Sequence, residues 1–103
     1  MKVIIKYPGE AATVENIDNT LEALQSIVGG YIQVVSVATN CVMICNEEGR
    51  LLGLPRNNRI AGVDFHGTVI VAGASGDDFT DCPMSLEDFE RDWLYWLGEE
   101  ETV

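Results

Sequence analysis

Basic side chains are scarce in this chain: Lys and Arg number 6 against 17 Asp and Glu, for a formal charge of -11 over 103 residues. That balance disfavours direct nucleic-acid binding, because phosphates are repelled where Lys and Arg are needed to displace counterions. Mimicry of DNA is disfavoured too, since the acids gather toward the C-terminal end instead of lining one long face. Cysteine is limited to Cys41, Cys45 and Cys82, an odd number that argues against a disulfide framework and points to the cytoplasm. Apolar runs are short, so no membrane span is expected, and Met1–Lys6 lacks the length and cleavage site of a secretory signal. No P-loop, G-x-G-x-x-G, G-x-S-x-G or H-E-x-x-H pattern occurs. The expectation is therefore a non-enzymatic protein with no cofactor and no metal.

What remains has the size and apolar content of one α+β domain over residues 1–103, able to bury a core without staples. Lys2–Tyr7 is a β-branched run stopped by Pro8-Gly9, which predicts a first strand and a turn. Ile17, Leu21, Leu24 and Val28 recur at spacings of four, three and four, which predicts a helix capped by Thr13 and ended at Gly29-Gly30. Tyr31–Ala38 and Cys41–Cys45 read as strands joined at Thr39-Asn40. Asn46-Glu47-Glu48-Gly49 reads as a turn, Arg50-Leu51-Leu52 as a third strand of the meander, and Pro55 as its end. A last strand is centred on Thr68–Val71 within Val63–Val71, and Gly73–Asp78 forms a polar turn.

Ser85 opens a second helix as a capping box with Asp88, with Met84 and Phe89 as a staple. Leu86, Phe89, Trp93 and Trp96 or Leu97 form its apolar face, Gly98 closes it, and residues 99–103 form a frayed tail. The order β-α-β-β-β-β-α implies a mainly antiparallel sheet of four or five strands with two helices. If both helices share one face, the other is solvated or an interface. Tyr95 lies off the Trp93 stripe, so part of the aromatic cluster is available to a partner.

The cationic residues concentrate in one place. Taking Arg50, Arg56 and Arg59 from -11 leaves -14, so this segment is the cationic spot on an anionic body. Guanidinium forks and amides hold carboxylate and phosphate oxygens well, which makes Arg50, Arg56, Asn58 and Arg59 candidate ligand-binding residues, with Tyr31 or His66 near the base if the ligand is a nucleotide. The competing reading is that these arginines pair with the chain's own carboxylates. Cys41 and Cys45 lie four apart on one strand, roughly 13 Å between Cα atoms, too far to bridge. Asp77, Asp78 and Asp81 lack the spacing of a calcium loop. An enzyme would need His66 to converge with a Cys or Asp in a pocket.

The segments Leu21–Ile32, Asn46-Glu47-Glu48-Gly49, Leu52-Gly53-Leu54-Pro55, Asn58-Arg59 and Gly67-Thr68-Val69 carry a resemblance. Over residues 1 to about 90 they resemble a "domain of unknown function" family of small proteins from phages, plasmids and conjugative elements of gut Gram-positive bacteria. Pro55-Arg56-Asn57-Asn58-Arg59 departs from the family pattern by one additional Asn. The resemblance implies a mobile-element accessory protein and supplies no catalytic residues. The leading expectation is binding to a host or mobile-element protein, and the alternative is sequestration of a phosphorylated ligand or nucleotide signal by the Arg/Asn loop. Exposed sheet edges also admit a homodimer.

Overall fold

The computed structural model describes residues 1–95. In chain order the elements are β1 (Lys2–Lys6), β2 (Thr13–Asn16), α1 (Leu21–Val28), β3 (Ile32–Ala38), β4 (Cys41–Asn46), β5 (Arg56–Ile60), β6 (Val63–His66), β7 (Val69–Ser75), β8 (Asp78–Thr80), α2 (Leu86–Asp92) and β9 (Leu94–Tyr95). Three hairpins close through two-residue connections, which short polar residues and glycine allow. They are Thr39-Asn40 between β3 and β4, Ala61-Gly62 between β5 and β6, and Gly76-Asp77 between β7 and β8. Asn40 and Ala61 take φ of 65° and 51°, and Ala61 has no side-chain hydrogen bond to offset that conformation.

The α+β class with two helices and a mainly antiparallel sheet holds. The large sheet has the order β2-β1-β7-β4-β3, with β8 also on β7, and all its pairings are antiparallel. β1 and β8 share one edge of β7 end to end, and Cys82 N–H joins them by donating to the Lys2 carbonyl at 2.7 Å. Because side chains alternate along each strand, the sheet presents two apolar faces. Val3, Ile5, Val42, Ile44, Ile70 and Ala72 receive Leu24 and Val28 of α1. On the opposite face Ile4, Met43, Val69 and Val71 meet Ile60 and Phe65 of the small β6-β5-β9 sheet and Phe89 of α2. The helices therefore cover opposite faces, and β4 is buried along its whole length, like a central strand of a sandwich. Among the described residues no helix is long and apolar enough to cross a membrane.

Several local expectations are corrected. The first helix begins at Leu21, capped by Thr20, whose Oγ1 accepts from Ala23 N–H at 3.2 Å. Thr13–Asn16 instead pairs with β1, a partner that local periodicity cannot register. Arg50-Leu51-Leu52 is a turn, not a strand, with Leu52 N–H bonded back to the Glu48 carbonyl. Pro55 precedes a strand where a strand end was expected, because the Arg/Asn segment pairs with β6. Val63–Val71 is split into β6 and β7, and Asp78–Thr80 forms the added strand β8. At α2 Ser85 Oγ does accept from Asp88 N–H, but the Asp88 carboxylate binds Arg91 and does not reach back. Expectations for Trp96, Leu97, Gly98 and the 99–103 tail lie outside the described residues.

One polar joint ties the two sheets. Lys6 ends β1 on the same face as Ile4, where it is 0% exposed. Its Nζ donates to the Tyr7 carbonyl at 2.8 Å and to Asn57 Oδ1 at 3.3 Å. Asn57, on β5, donates through Nδ2 to the Lys6 carbonyl at 2.8 Å and the Gly67 carbonyl at 2.9 Å, and its Oδ1 also accepts from Asn58 N–H. Buried polar groups persist only when satisfied in this way. Asn57→Ala strands several of them and is expected to destabilise the fold by about 2–4 kcal/mol in denaturant unfolding, against less than about 1 kcal/mol for exposed Arg56→Ala. Equal costs for the two variants would show that the joint contributes nothing.

Candidate functional site

A cleft of about 240 Å³ opens between the edge of the large sheet and the small sheet. Gln33 and Val35 of β3, Cys45 and Asn46 of β4, Glu47, Gly49 and Arg50 of the following turn, and Val63–His66 of β6 line it. Strand alternation explains the first group: Gln33 and Val35 point to one face, and Gln33 stands opposite Cys45 in the ladder. A smaller hollow of about 110 Å³ beside β1 and the start of α2 is lined mainly by apolar groups.

The turn that carries Arg50 is built by Asn46. Its Oδ1 accepts from Glu48 N–H at 2.8 Å, which folds the chain back on itself, and its Nδ2 donates to the Val28 carbonyl at 3.2 Å, anchoring the end of α1. Gly49 then passes so close to β6 that a Cβ there would collide with the His66 carbonyl. Leu54 N–H returns to the Gly49 carbonyl at 3.0 Å, closing the turn. Its tip carries Leu51 and Leu52, and Leu51 is 86% exposed.

The six residues proposed from sequence separate into three groups. Arg50 and His66 both line the cleft. His66 Nδ1 lies 3.4 Å from the Leu54 carbonyl, so a proton there donates to it and leaves Nε2 as an acceptor. Arg56 and Arg59 lie on β5 against Asp64 of β6, with Arg59 Nε at 3.0 Å and an Arg56 terminal nitrogen at 3.5 Å from the carboxylate. Asn58 is buried, its N–H held by Asn57 Oδ1. Tyr31 is 70% exposed before β3 and outside the cleft lining; its carbonyl accepts from Glu47 N–H.

Charge at the cleft is uneven. Among the described residues Arg50 is the one arginine of the four without an ion pair, whereas Arg91 is held by Asp88 and Asp92. The Arg59 hydrogen bond, with the Arg59 and Arg56 charges, holds the Asp64 carboxyl below its ordinary value of 3.8. Burial raises the Cys45 thiol, so it faces the cleft as a neutral group, and it pushes Cys41 up to about 11. Cys45, Asp64 and His66 thus share one lining, with the thiol protonated and the carboxylate engaged by arginine. Among the described residues no group of three or more His, Cys, Asp or Glu side chains could hold a metal.

Sequence reasoning missed Gln33, Val35, Cys45, Val63 and Phe65 as cleft residues. Period-two alternation in β3 was the available signal, but the opposing wall comes from a strand about thirty residues on. The ion-pair geometry generates a test by carboxyl NMR titration. Asp64 is expected to titrate below 3.8 and to move up toward that value in Arg59→Ala more than in Arg56→Ala. A native midpoint at or above 3.8 would contradict the pairing.

No curated protein and no solved structure matches the chain. A family model described as "Domain of unknown function (DUF3846)" matches residues 1–94. Its match takes in both sheets, the cleft and all six residues discussed above, and the chain belongs to the DUF3846 family.

Proposed function

We propose that the chain is a non-enzymatic accessory protein that works by adding an extended segment of a partner protein to the free edge of β3. The observation that carries this reading is the composition of that edge. β3 runs Ile-Gln-Val-Val-Ser-Val-Ala with no charged residue and no proline, and it is the terminal strand of its sheet. Exposed edge strands are normally blunted by charge, proline or brevity, because unpaired N–H and C=O groups template further pairing. The opposite edge, β2, follows that rule, with four residues including Glu15. On β3 only a register shift between Ser36 and Ala38 interrupts the ladder, leaving Ile32–Ser36 regular.

Val34 of this strand is itself exposed, and the Leu51-Leu52 turn adds a second exposed apolar patch on the molecule. Main-chain bonds along an edge give affinity, and flanking side chains give selectivity. The acidic charge favours a partner segment with Lys or Arg. We further infer, from the sequence resemblance described above and not from the family match, an accessory role in a bacterial cytoplasm with a host or mobile-element protein as the partner.

Val34→Lys/Ser36→Lys places two like charges on the edge at exposed positions and is expected to leave the unfolding midpoint within a few degrees. Used as baits in host lysate, the native chain should enrich a partner that the double variant loses, with native β3 amides protected from hydrogen exchange in the complex. Identical protein sets on both baits, or a partner that leaves β3 exchange unchanged, would sink the reading.

A further inference from the structure

We propose that the cleft lined by β3, β4, the Arg50 turn and β6 is a binding site for a small organic anion, with one flat apolar ring and one carboxylate or phosphate. This rests on the cleft and not on the β3 edge, so it stands or falls separately from partner binding.

Three observations define the ligand. Size comes first: about 240 Å³ lies just below the ~300 Å³ at which pockets begin to enclose drug-sized molecules, so a single ring fits and a dinucleotide does not. Chemistry of the walls comes second. Val35, Cys45, Val63 and Phe65 supply apolar surface, and the protonated Cys45 thiol adds no charge. Flat apolar bodies are stabilised there by removal from water, roughly in proportion to area.

Charge comes third, and it decides the sign of the ligand. Two carboxylates, Glu47 and Asp64, line the cleft beside Arg50. Asp64 is already engaged by Arg56 and Arg59, which stand outside the lining, so its charge is offset from behind and Arg50 is the guanidinium that the cleft itself presents. Arg50 has no carboxylate partner among the described residues. Its turn is fixed by Asn46 and by the contact of Gly49 with β6, so the backbone from which the fork projects is already ordered before any ligand arrives. His66 shares the lining, with Nδ1 on the Leu54 carbonyl, and adds no carboxylate to it.

Nitrogen-15 NMR titration of the full chain tests the site, using benzoate and phenyl phosphate as ring-bearing anions, benzyl alcohol as a neutral ring and inorganic phosphate as an anion without one. Benzoate or phenyl phosphate should give saturable shifts confined to the lining, and the tighter of the two identifies which anionic group the cleft takes. Benzyl alcohol and inorganic phosphate should each bind about tenfold or more weakly than that anion. Arg50→Ala should weaken the anion about tenfold while leaving benzyl alcohol unchanged, and Arg56→Ala should leave both unchanged. Spectra of the variants report directly that they remain folded. The proposal is overturned if no probe shifts the lining residues, if benzyl alcohol or inorganic phosphate binds as tightly as the ring-bearing anions, or if Arg50→Ala binds like the native chain.

Discussion

A lysine buried to 0% exposure at the end of the first strand, held by one asparagine from the small sheet, is the constraint on which the arrangement depends. An ammonium removed from water is costly, and each of its donors needs an acceptor. Asn57 meets that requirement and at the same time binds the carbonyls of Lys6 and Gly67, so the same amide that satisfies the lysine fixes β5 over the large sheet. Apolar packing of Ile60, Phe65 and Phe89 supplies most of the attraction between the layers, but it is not directional. Register between the layers comes from the polar joint.

That register makes the cleft. With β5 pinned by Asn57 at the His66–Gly67 end, β6 lies across the cleft from β3 and β4, and its residues Val63–His66 form that wall. Asn46 plays a parallel part at the other rim, tying the end of α1 to the turn that presents Arg50. Two buried asparagines thus do structural work in segments whose arginines diverge in role. Arg56 and Arg59 engage a carboxylate on the neighbouring strand, while Arg50 lines the cleft with no carboxylate partner among the described residues.

Features set by neighbours in sequence were legible before the structure. The Thr39-Asn40 hairpin, the Gly29 end of the first helix and the Ser85 cap all follow from local backbone chemistry. β2, β5 and β8 were not legible, because each is a short polar segment that becomes a strand only through a partner. Pro55 illustrates the difference: its missing donor ends a strand by local rule, yet its carbonyl accepts from Gly67 N–H and leads directly into β5. Of the candidate site, sequence named Arg50 and His66 but not their convergence with Val35 and Cys45, which depends on the stacking of two sheets. It also assigned Asn58 to a ligand, whereas the side chain is buried beside Asn57.

Burial lowers the Lys6 pKa from 10.5, with Glu10 acting weakly in the opposite direction. The unfolded chain therefore binds this proton more tightly than the folded one, so folding gains stability as pH rises from the lowered value toward 10.5, and the cost is fully present at lower pH. Nitrogen-detected NMR titration of the Lys6 side chain, followed through its Nζ resonance, tests the joint most directly. A midpoint clearly below 10.5, returning toward it when Asn57→Ala opens the joint, is the predicted result. A native midpoint at or above 10.5, with a rapidly exchanging ammonium, would contradict the buried joint and the placement of the small sheet that follows from it.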